Sequence, residues 1–88
     1  MDSARAADVT IDAHGAYLAP GLVDVHTHGR AGTDFINADD AALRRMALSY
    51  LESGVTTLMP TLASAPYVRM QEATGRIAAA IGHTDGAR

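Results

Sequence analysis

Hydrophobic residues along the chain recur with a period of two in some stretches and near 3.6 in others, which predicts strands and helices in turn. Strands are predicted over 22–28 and 55–59, where aliphatic and β-branched residues cluster. Helices are predicted over about 39–53 and 65–81, because apolar residues recur there at intervals of three and four. The order strand, helix, strand, helix with short links indicates a parallel sheet with crossover helices.

Short polar side chains mark the starts of both predicted helices. Asn37, Asp39 or Asp40 can cap the first helix, with a carboxylate near the positive end of its dipole. Ser64 is predicted to cap the second helix, with Pro66 in its first turn. These signals define two strand–helix units with few residues between their elements.

The first twenty residues carry a separate pattern. Residues 8–13 alternate polar and apolar side chains, which predicts a half-buried strand. Pro20-Gly21 then interrupts this extended pattern. Two parallel strands with two helices do not complete a fold, because parallel sheets are normally covered on both faces. We therefore expect the sequence to be part of a larger architecture.

Composition excludes several classes of function. The chain has 88 residues, no cysteine and a net charge of −3, so it has no disulfide and no basic stripe for a nucleic acid. Its start lacks a basic and an apolar signal region, and no apolar run approaches the roughly 20 residues of a membrane span. We expect a soluble cytoplasmic protein that binds neither nucleic acid nor membrane.

The triplet His26-Thr27-His28 is the main chemical signal. Residues i and i+2 of a strand point to one face, so both imidazoles can reach one divalent ion. Asp24 lies in phase with them and can either orient the ligands from behind or pair with a backbone group or an arginine. Such triplets are more often ordinary surface or core histidines. The preceding Pro-Gly break, the apolar strand and the following glycine loop favour metal binding.

Five other residues are weighed against simpler interpretations. His14 and His83 lie in polar, turn-like stretches and are expected to be exposed without a chemical role. Gly29 opens a glycine-containing loop that leaves room for a substrate. Asp34 is a candidate for substrate contact, although pinning this loop is the preferred interpretation. Thr61 lies near the end of the second strand, where it can face the site or satisfy the adjacent backbone.

The stretch 19–28, APGLVDVHTH, resembles the signature of the amidohydrolase superfamily, in which Pro-Gly and two apolar residues precede Asp-x-His-x-His. The stretches 29–35 and 54–62 are similar to the N-acetylglucosamine-6-phosphate deacetylases within that superfamily. The resemblance covers roughly residues 8–81.

This resemblance implies a (β/α)8 barrel with a small β-sandwich built from the flanking regions. Residues 1–19 are then the end of the sandwich segment, and residues 20–88 are the start of an incomplete barrel, its first two βα units. The implied activity is hydrolysis of the acetamide of N-acetylglucosamine 6-phosphate, which gives glucosamine 6-phosphate and acetate. The implied partners are this amino-sugar phosphate and a second copy of the chain in a homodimer.

The resemblance also implies roles for individual residues. His26 and His28 match the first metal pair, for zinc or alternatively iron, and Asp24 stands behind them. Some members carry amide side chains in place of this pair and bind one metal, so both histidines together favour a two-metal site. The general-base aspartate and the remaining ligands are expected beyond residue 88, which leaves no catalytic base assigned within the chain.

Two alternatives remain open from the sequence. Another amidohydrolase, resembling a dihydroorotase or a cytosine or adenine deaminase, would share the histidine triplet. A non-catalytic remnant that binds a partner or oligomerises would explain the missing ligands and the open strand edges.

Overall fold

Six elements of regular structure form in the computed structural model, which describes residues 6–88 of the chain. They are β1 (Leu22–Thr27), β2 (Gly29–Arg30), β3 (Thr33–Asp34), α1 (Asp40–Glu52), β4 (Val55–Pro60) and α2 (Tyr67–Ala80). The sheet of β1 and β4 is parallel, whereas β2 and β3 form an antiparallel hairpin. Neither helix of this described part is long and apolar enough to cross a membrane.

The predicted strand–helix order is confirmed, and α1 has the expected start. The side chain of Asp39 accepts a hydrogen bond of 2.8 Å from the backbone N–H of Ala42, so Asp39 is the cap among the three candidates. At the other end, Gly54 adopts a φ of +85° and donates its N–H to the carbonyl of Leu51. Glycine tolerates this left-handed conformation and lets the chain turn directly into β4.

The predicted cap of the second helix is wrong. Pro66 occupies the capping position of α2 with a φ of −53°, and no side chain caps this end. Ser64 lies two residues before Pro66, too far from the first free N–H groups of a helix that begins at Tyr67. Proline starts this helix through its fixed φ instead of through a hydrogen bond.

The predicted strand over residues 8–13 does not form. Val9 and Ile11 are 76% and 86% exposed, and residues 6–20 contain no strand. Alternation describes how a strand would be buried, but a strand also needs a neighbour to pair with, and residues 6–88 place none there. The assignment of residues 1–19 to a sandwich segment stays a prediction, and its residues 1–5 lie outside the described part.

The hairpin of β2 and β3 turns the chain sharply after β1. Its two turn residues, Ala31 and Gly32, have φ angles of +55° and +78°, as in a type I′ turn. Directly after β3 the chain becomes buried at Phe35, which carries it under α1. The hairpin thus lies within the connection between the end of β1 and α1, the helix that crosses back to β4.

The hydrophobic core lies around the inner face of α1. Its buried members are Phe35, Ala38, Ala42, Leu43, Met46, Tyr50 and Ala87. Residues of β4 and α2, among them Leu58 and Ile77, pack against this cluster and are half-buried. The apolar spacing of α1 therefore produces the face that the sequence predicts, whereas Ala73 is the one fully buried residue of α2.

Arginines of α2 fasten the segment that follows β3. Arg76 donates from Nε to the carbonyl of Ala38 at 2.9 Å and from Nη2 to the carbonyl of Ile36 at 2.8 Å. Arg69 contacts the side-chain oxygen of Asn37 between them. Because Ile36 and Ala38 are buried, these donors satisfy carbonyls that have limited access to water.

The last described residues extend the sheet beyond β4. Arg88 donates its N–H to the carbonyl of Thr56 at 3.0 Å and accepts from the N–H of Leu58 at 2.7 Å, which is the pattern of a parallel bridge. Gly86 lies so close to α1 that an added Cβ would meet the Ala47 carbonyl carbon at 2.1 Å. The edge of β4 that faces away from β1 is therefore paired at Arg88, and this pairing is parallel, like that of β1 with β4.

The glycines at 75 and 86 give a paired test of this packing. Gly75→Ala places a methyl group in open space within α2 and is expected to stabilise the chain by about 0.5–1 kcal/mol. Gly86→Ala pushes a methyl group into the backbone at Ala47 and is expected to destabilise it by about 1–3 kcal/mol. Urea unfolding of both variants measures the difference, and two changes of equal sign would contradict the close approach at Gly86.

Candidate metal site

The histidine pair lies at the carboxyl end of β1, where the strand gives way to the hairpin. The Nε2 atoms of His26 and His28 are 3.4 Å apart, and their ring centroids are 5.0 Å apart with the planes at 87°. Both side chains are exposed. The alternation of the strand thus brings the two imidazoles together on one accessible face, as predicted from their spacing.

The separation of the two nitrogens fits a shared metal ion. Two imidazole nitrogens bound at about 2.0–2.1 Å to one tetrahedral ion lie roughly 3.3 Å apart. The observed 3.4 Å between the Nε2 atoms of His26 and His28 matches that spacing without any rearrangement of the strand. The donor set, two imidazoles with solvent access, suits zinc or another borderline divalent metal.

Thr61, which follows β4, holds the ring of His28 from the neighbouring strand. The Nδ1 of His28 lies 3.2 Å from the Thr61 carbonyl oxygen and 3.3 Å from its Oγ1. When Nδ1–H donates to the carbonyl, the lone pair of Nε2 is free on the side that faces His26. This tautomer is the one that a metal at the paired Nε2 atoms requires.

A second set of bonds fixes Thr61 itself. Its N–H and its Oγ1 both donate to the carbonyl of Thr27, each at 2.9 Å. The Thr61 side chain therefore satisfies the backbone, as one of its two sequence interpretations predicts, and it also contacts His28. These two hydrogen bonds close the end of the β1–β4 ladder beside the histidines.

Asp24 pairs with the backbone of its own strand. Its Oδ1 accepts from the N–H of His26 at 3.1 Å, and the side chain is half-buried. This bond agrees with the interpretation that Asp24 pairs with a backbone group. It restrains the strand at His26, the residue that bears the first imidazole. A role of Asp24 directly behind the metal ligands stays a prediction.

The Asp34 side chain bonds the segment that follows β3, not the glycine loop at 29–32 that it was expected to pin. Its Oδ1 accepts from the backbone N–H and from the side-chain amide of Asn37, both at 2.8 Å. Gly29 has a φ of +146°, and a Cβ there would meet the carbonyl oxygen of Thr33 at 2.3 Å. Contact of Gly29, Asp34 or Thr61 with a substrate stays a prediction.

Sequence reasoning missed one residue beside the pair. The spacing of apolar residues places Tyr50 on the inner face of α1, but its hydroxyl contacts the Thr27 side chain and lies 3.2 Å from the Gly29 carbonyl oxygen. The guanidinium of Arg30 stacks over its ring at 5.2 Å from the centroid. The one available signal was a tyrosine, not a phenylalanine, in an otherwise apolar stripe.

The other two histidines do not join the pair. His14 sits in a turn where its N–H bonds Asp12 at 2.8 Å, and His83 follows the end of α2. Both are exposed, as predicted. Among residues 6–88 no three His, Cys, Asp or Glu side chains are grouped to hold a metal. The described part thus offers two ligands, one fewer than the three protein ligands of a catalytic zinc site.

Comparisons with known proteins identify homologues by sequence. The chain is 34% identical over 61 residues to the N-acetylglucosamine-6-phosphate deacetylase of Vibrio furnissii. This match covers 69% of the chain and 15% of the Vibrio protein. The chain is 36% identical over 69 residues to the human enzyme of that name, covering 75% of this chain and 17% of that protein. An N-acetylgalactosamine-6-phosphate deacetylase of Escherichia coli O157:H7 is 34% identical over 61 residues, covering 69% and 16%.

These relatives are much longer than the matched region. The chain spans only 15–17% of the length of these three proteins. No model of a protein family matches it, and no solved structure does.

Replacing Thr61 tests the bond that closes the β1–β4 ladder. Thr61→Val keeps the shape but loses the hydroxyl donor to Thr27, so we expect a loss of about 0.5–1.5 kcal/mol in unfolding free energy. Thr61→Ser keeps the donor and is expected to lose less. Thr74→Val is the control, because the Thr74 hydroxyl bonds only within α2, to the carbonyl of Met70. Equal losses for Thr61→Val and Thr74→Val in urea unfolding would contradict the assignment.

Proposed function

We propose, from the homology of this chain to the N-acetylglucosamine-6-phosphate deacetylases, that it is part of a metal-dependent amidohydrolase acting on N-acetylglucosamine 6-phosphate. The reaction removes the acetyl group and yields glucosamine 6-phosphate and acetate. The observation that carries the proposal is the approach of His26 Nε2 to His28 Nε2, at 3.4 Å, within the stretch that resembles the superfamily signature. Homology supports the enzyme class, and the histidine pair supports the dependence on metal.

The arrangement of strands supports a barrel as the complete fold. β1 pairs with β4, and the backbone at Arg88 continues the sheet on the other edge of β4, so neighbours in the sheet follow chain order. A barrel of βα units has this order, and its active sites lie at the carboxyl ends of the strands. His28 and Thr61 both follow the ends of their strands, at that edge. We assign residues 20–88 to the start of such a barrel.

Each residue of the candidate site has a definite task in this proposal. His26 and His28 would bind the ion through Nε2, and Thr61 would keep His28 in the tautomer that leaves Nε2 free. Asp24 holds the backbone that carries His26. The chemistry supplied by zinc or iron at this position is polarisation of the amide carbonyl and activation of water. The general base and the further ligands would come from other parts of the complete enzyme.

A second substrate follows from one of the comparisons. The relative from Escherichia coli O157:H7 is named for the galactosamine epimer and matches this chain at 34% identity, the same value as the Vibrio furnissii relative. The human enzyme named for the glucosamine epimer matches at 36% over a longer stretch, so that epimer stays the first candidate. N-acetylgalactosamine 6-phosphate is the second candidate substrate.

Acetate release by the complete protein tests the reaction. With zinc or iron supplied, we expect acetate from N-acetylglucosamine 6-phosphate, measured by a coupled assay, and the galactosamine epimer run in parallel decides between the two substrates. Unphosphorylated N-acetylglucosamine is the control for recognition of the phosphate. Ring opening of dihydroorotate, or release of ammonia from cytosine or adenine, would instead place the protein with another amidohydrolase.

Alanine variants test the two proposed ligands. His26→Ala and His28→Ala are each expected to lower bound zinc and acetate release at least tenfold, because each removes one nitrogen of the ion's shell. His14→Ala is the matched control, since His14 is exposed in a turn and bonded to Asp12. Zinc content is measured by atomic emission after dialysis. Unchanged zinc in both variants would contradict the assignment.

A further inference from the structure

The hydroxyl group of Tyr50 bridges the two residues on either side of His28. It contacts the side chain of Thr27, and it donates to the carbonyl of Gly29 at 3.2 Å. Tyr50 itself is only 4% exposed and belongs to the core around α1. A single side chain from the crossover helix thus reaches the side chain of the residue before a proposed metal ligand and the backbone of the residue after it.

Packing alone does not account for this hydroxyl. A phenylalanine would fill the same place in the apolar stripe of α1, and a buried hydroxyl has to find hydrogen-bond partners to offset its loss of water. The Tyr50 hydroxyl finds both partners at the end of β1 and none elsewhere in the described part of the chain. Its polar contacts are therefore directed at the histidine-bearing segment.

The tyrosine ring is also held in place from the outside. The guanidinium of Arg30 lies 5.2 Å from the ring centroid and donates to the hydroxyl of Ser53, at the end of α1. Gly29 has a φ of +146°, a conformation that other residues rarely adopt, and its carbonyl accepts the hydrogen bond from Tyr50. Arg30 thus restrains the ring of Tyr50, and Gly29 supplies the acceptor for its hydroxyl.

We propose that Tyr50 is a positioning residue for His28, which holds the backbone of this ligand by bridging Thr27 and Gly29 while Thr61 holds its imidazole. The two restraints act on different parts of one residue, Tyr50 on the backbone from α1 and Thr61 on the ring from β4. A ligand held in this way loses little freedom when it binds an ion. Groups that orient metal ligands typically change metal affinity by about 10–100-fold when they are removed.

The inference deepens the proposed function and rests on it, so the test has one arm that needs no metal. In the metal-free protein, long-range proton–nitrogen NMR spectra of the histidine rings report which nitrogen of His28 carries the proton. We expect Nδ1–H in the wild type, from the bond to Thr61, and a mixture of tautomers in Tyr50→Phe. Tyr67→Phe is the matched control, because Tyr67 is 77% exposed at the start of α2.

The second arm measures zinc affinity by competition with a chromophoric chelator. Tyr50→Phe is expected to bind zinc about tenfold more weakly than the wild type and Tyr67→Phe equally well. Thr27→Val and Thr27→Ser provide a second pair that leaves Tyr50 in place, and the serine variant is expected to retain the affinity that valine loses. This pair decides the question if Tyr50→Phe does not fold.

The outcomes separate the two proposals. Wild-type protein that retains no zinc overturns the proposed metal site, whereas the NMR arm still decides whether Tyr50 positions His28. Wild-type zinc affinity and an unchanged His28 tautomer in Tyr50→Phe, or in Thr27→Val where that pair decides, would overturn the role of Tyr50 and leave the metal site standing.

Discussion

Parallel pairing of β1 with β4 places the residues that follow both strands at one edge of the sheet. The register sets Thr27 beside Pro60, so the next residue of each strand, His28 and Thr61, also become neighbours. Their side chains then meet at 3.2–3.3 Å, and the hydroxyl of Thr61 closes the ladder onto Thr27. In a parallel sheet every strand runs in the same direction, which is why sites gather at this edge. The histidine pair depends on that register, because a slip of one residue would turn both rings to the other face.

The crossover between the two strands supports the same edge from the helix side. α1 starts at a side-chain cap, buries one face in the core and ends at Glu52, and Gly54 then leads the chain into β4. Its Tyr50 reaches back to the end of β1. Arg76 of α2 fastens the buried segment between β3 and α1 through two carbonyls. Tyr50 of α1 therefore contacts the stretch that carries the proposed ligands, whereas Arg76 of α2 holds the segment that leads from β3 into α1.

Local sequence patterns were sufficient for β1, β4 and the two helices, whereas the hairpin of β2 and β3 formed in a stretch interpreted as a glycine loop. Strands and helices formed where apolar spacing predicted them, and the imidazoles of His26 and His28 met because an i, i+2 spacing is a local property of a strand. The strand predicted over residues 8–13 failed for the opposite reason, since its side chains alternate but it has no neighbour to pair with among the described residues.

Other features depended on contacts that spacing does not reveal. The start of α2 depends on Pro66, whose φ is fixed by its ring. Ser64 lies two residues earlier and does not cap the helix. Tyr50 looked like a core residue because its ring is one, and only the fold shows where its hydroxyl points. The bonds from Arg76 to the backbone, forty residues away at Ile36, are likewise tertiary. Side-chain groups that serve distant backbone are the part that sequence periodicity does not predict.

The central claim is that His26 and His28 bind one divalent ion through their Nε2 atoms. X-ray absorption at the zinc edge, on the complete protein loaded with zinc, measures the number of imidazoles around the ion directly. The account predicts nitrogen at about 2.0–2.1 Å with the outer-ring scattering of histidine, reduced by one imidazole in His26→Ala and in His28→Ala. A spectrum with the same imidazole content in the wild type and in both variants would contradict it.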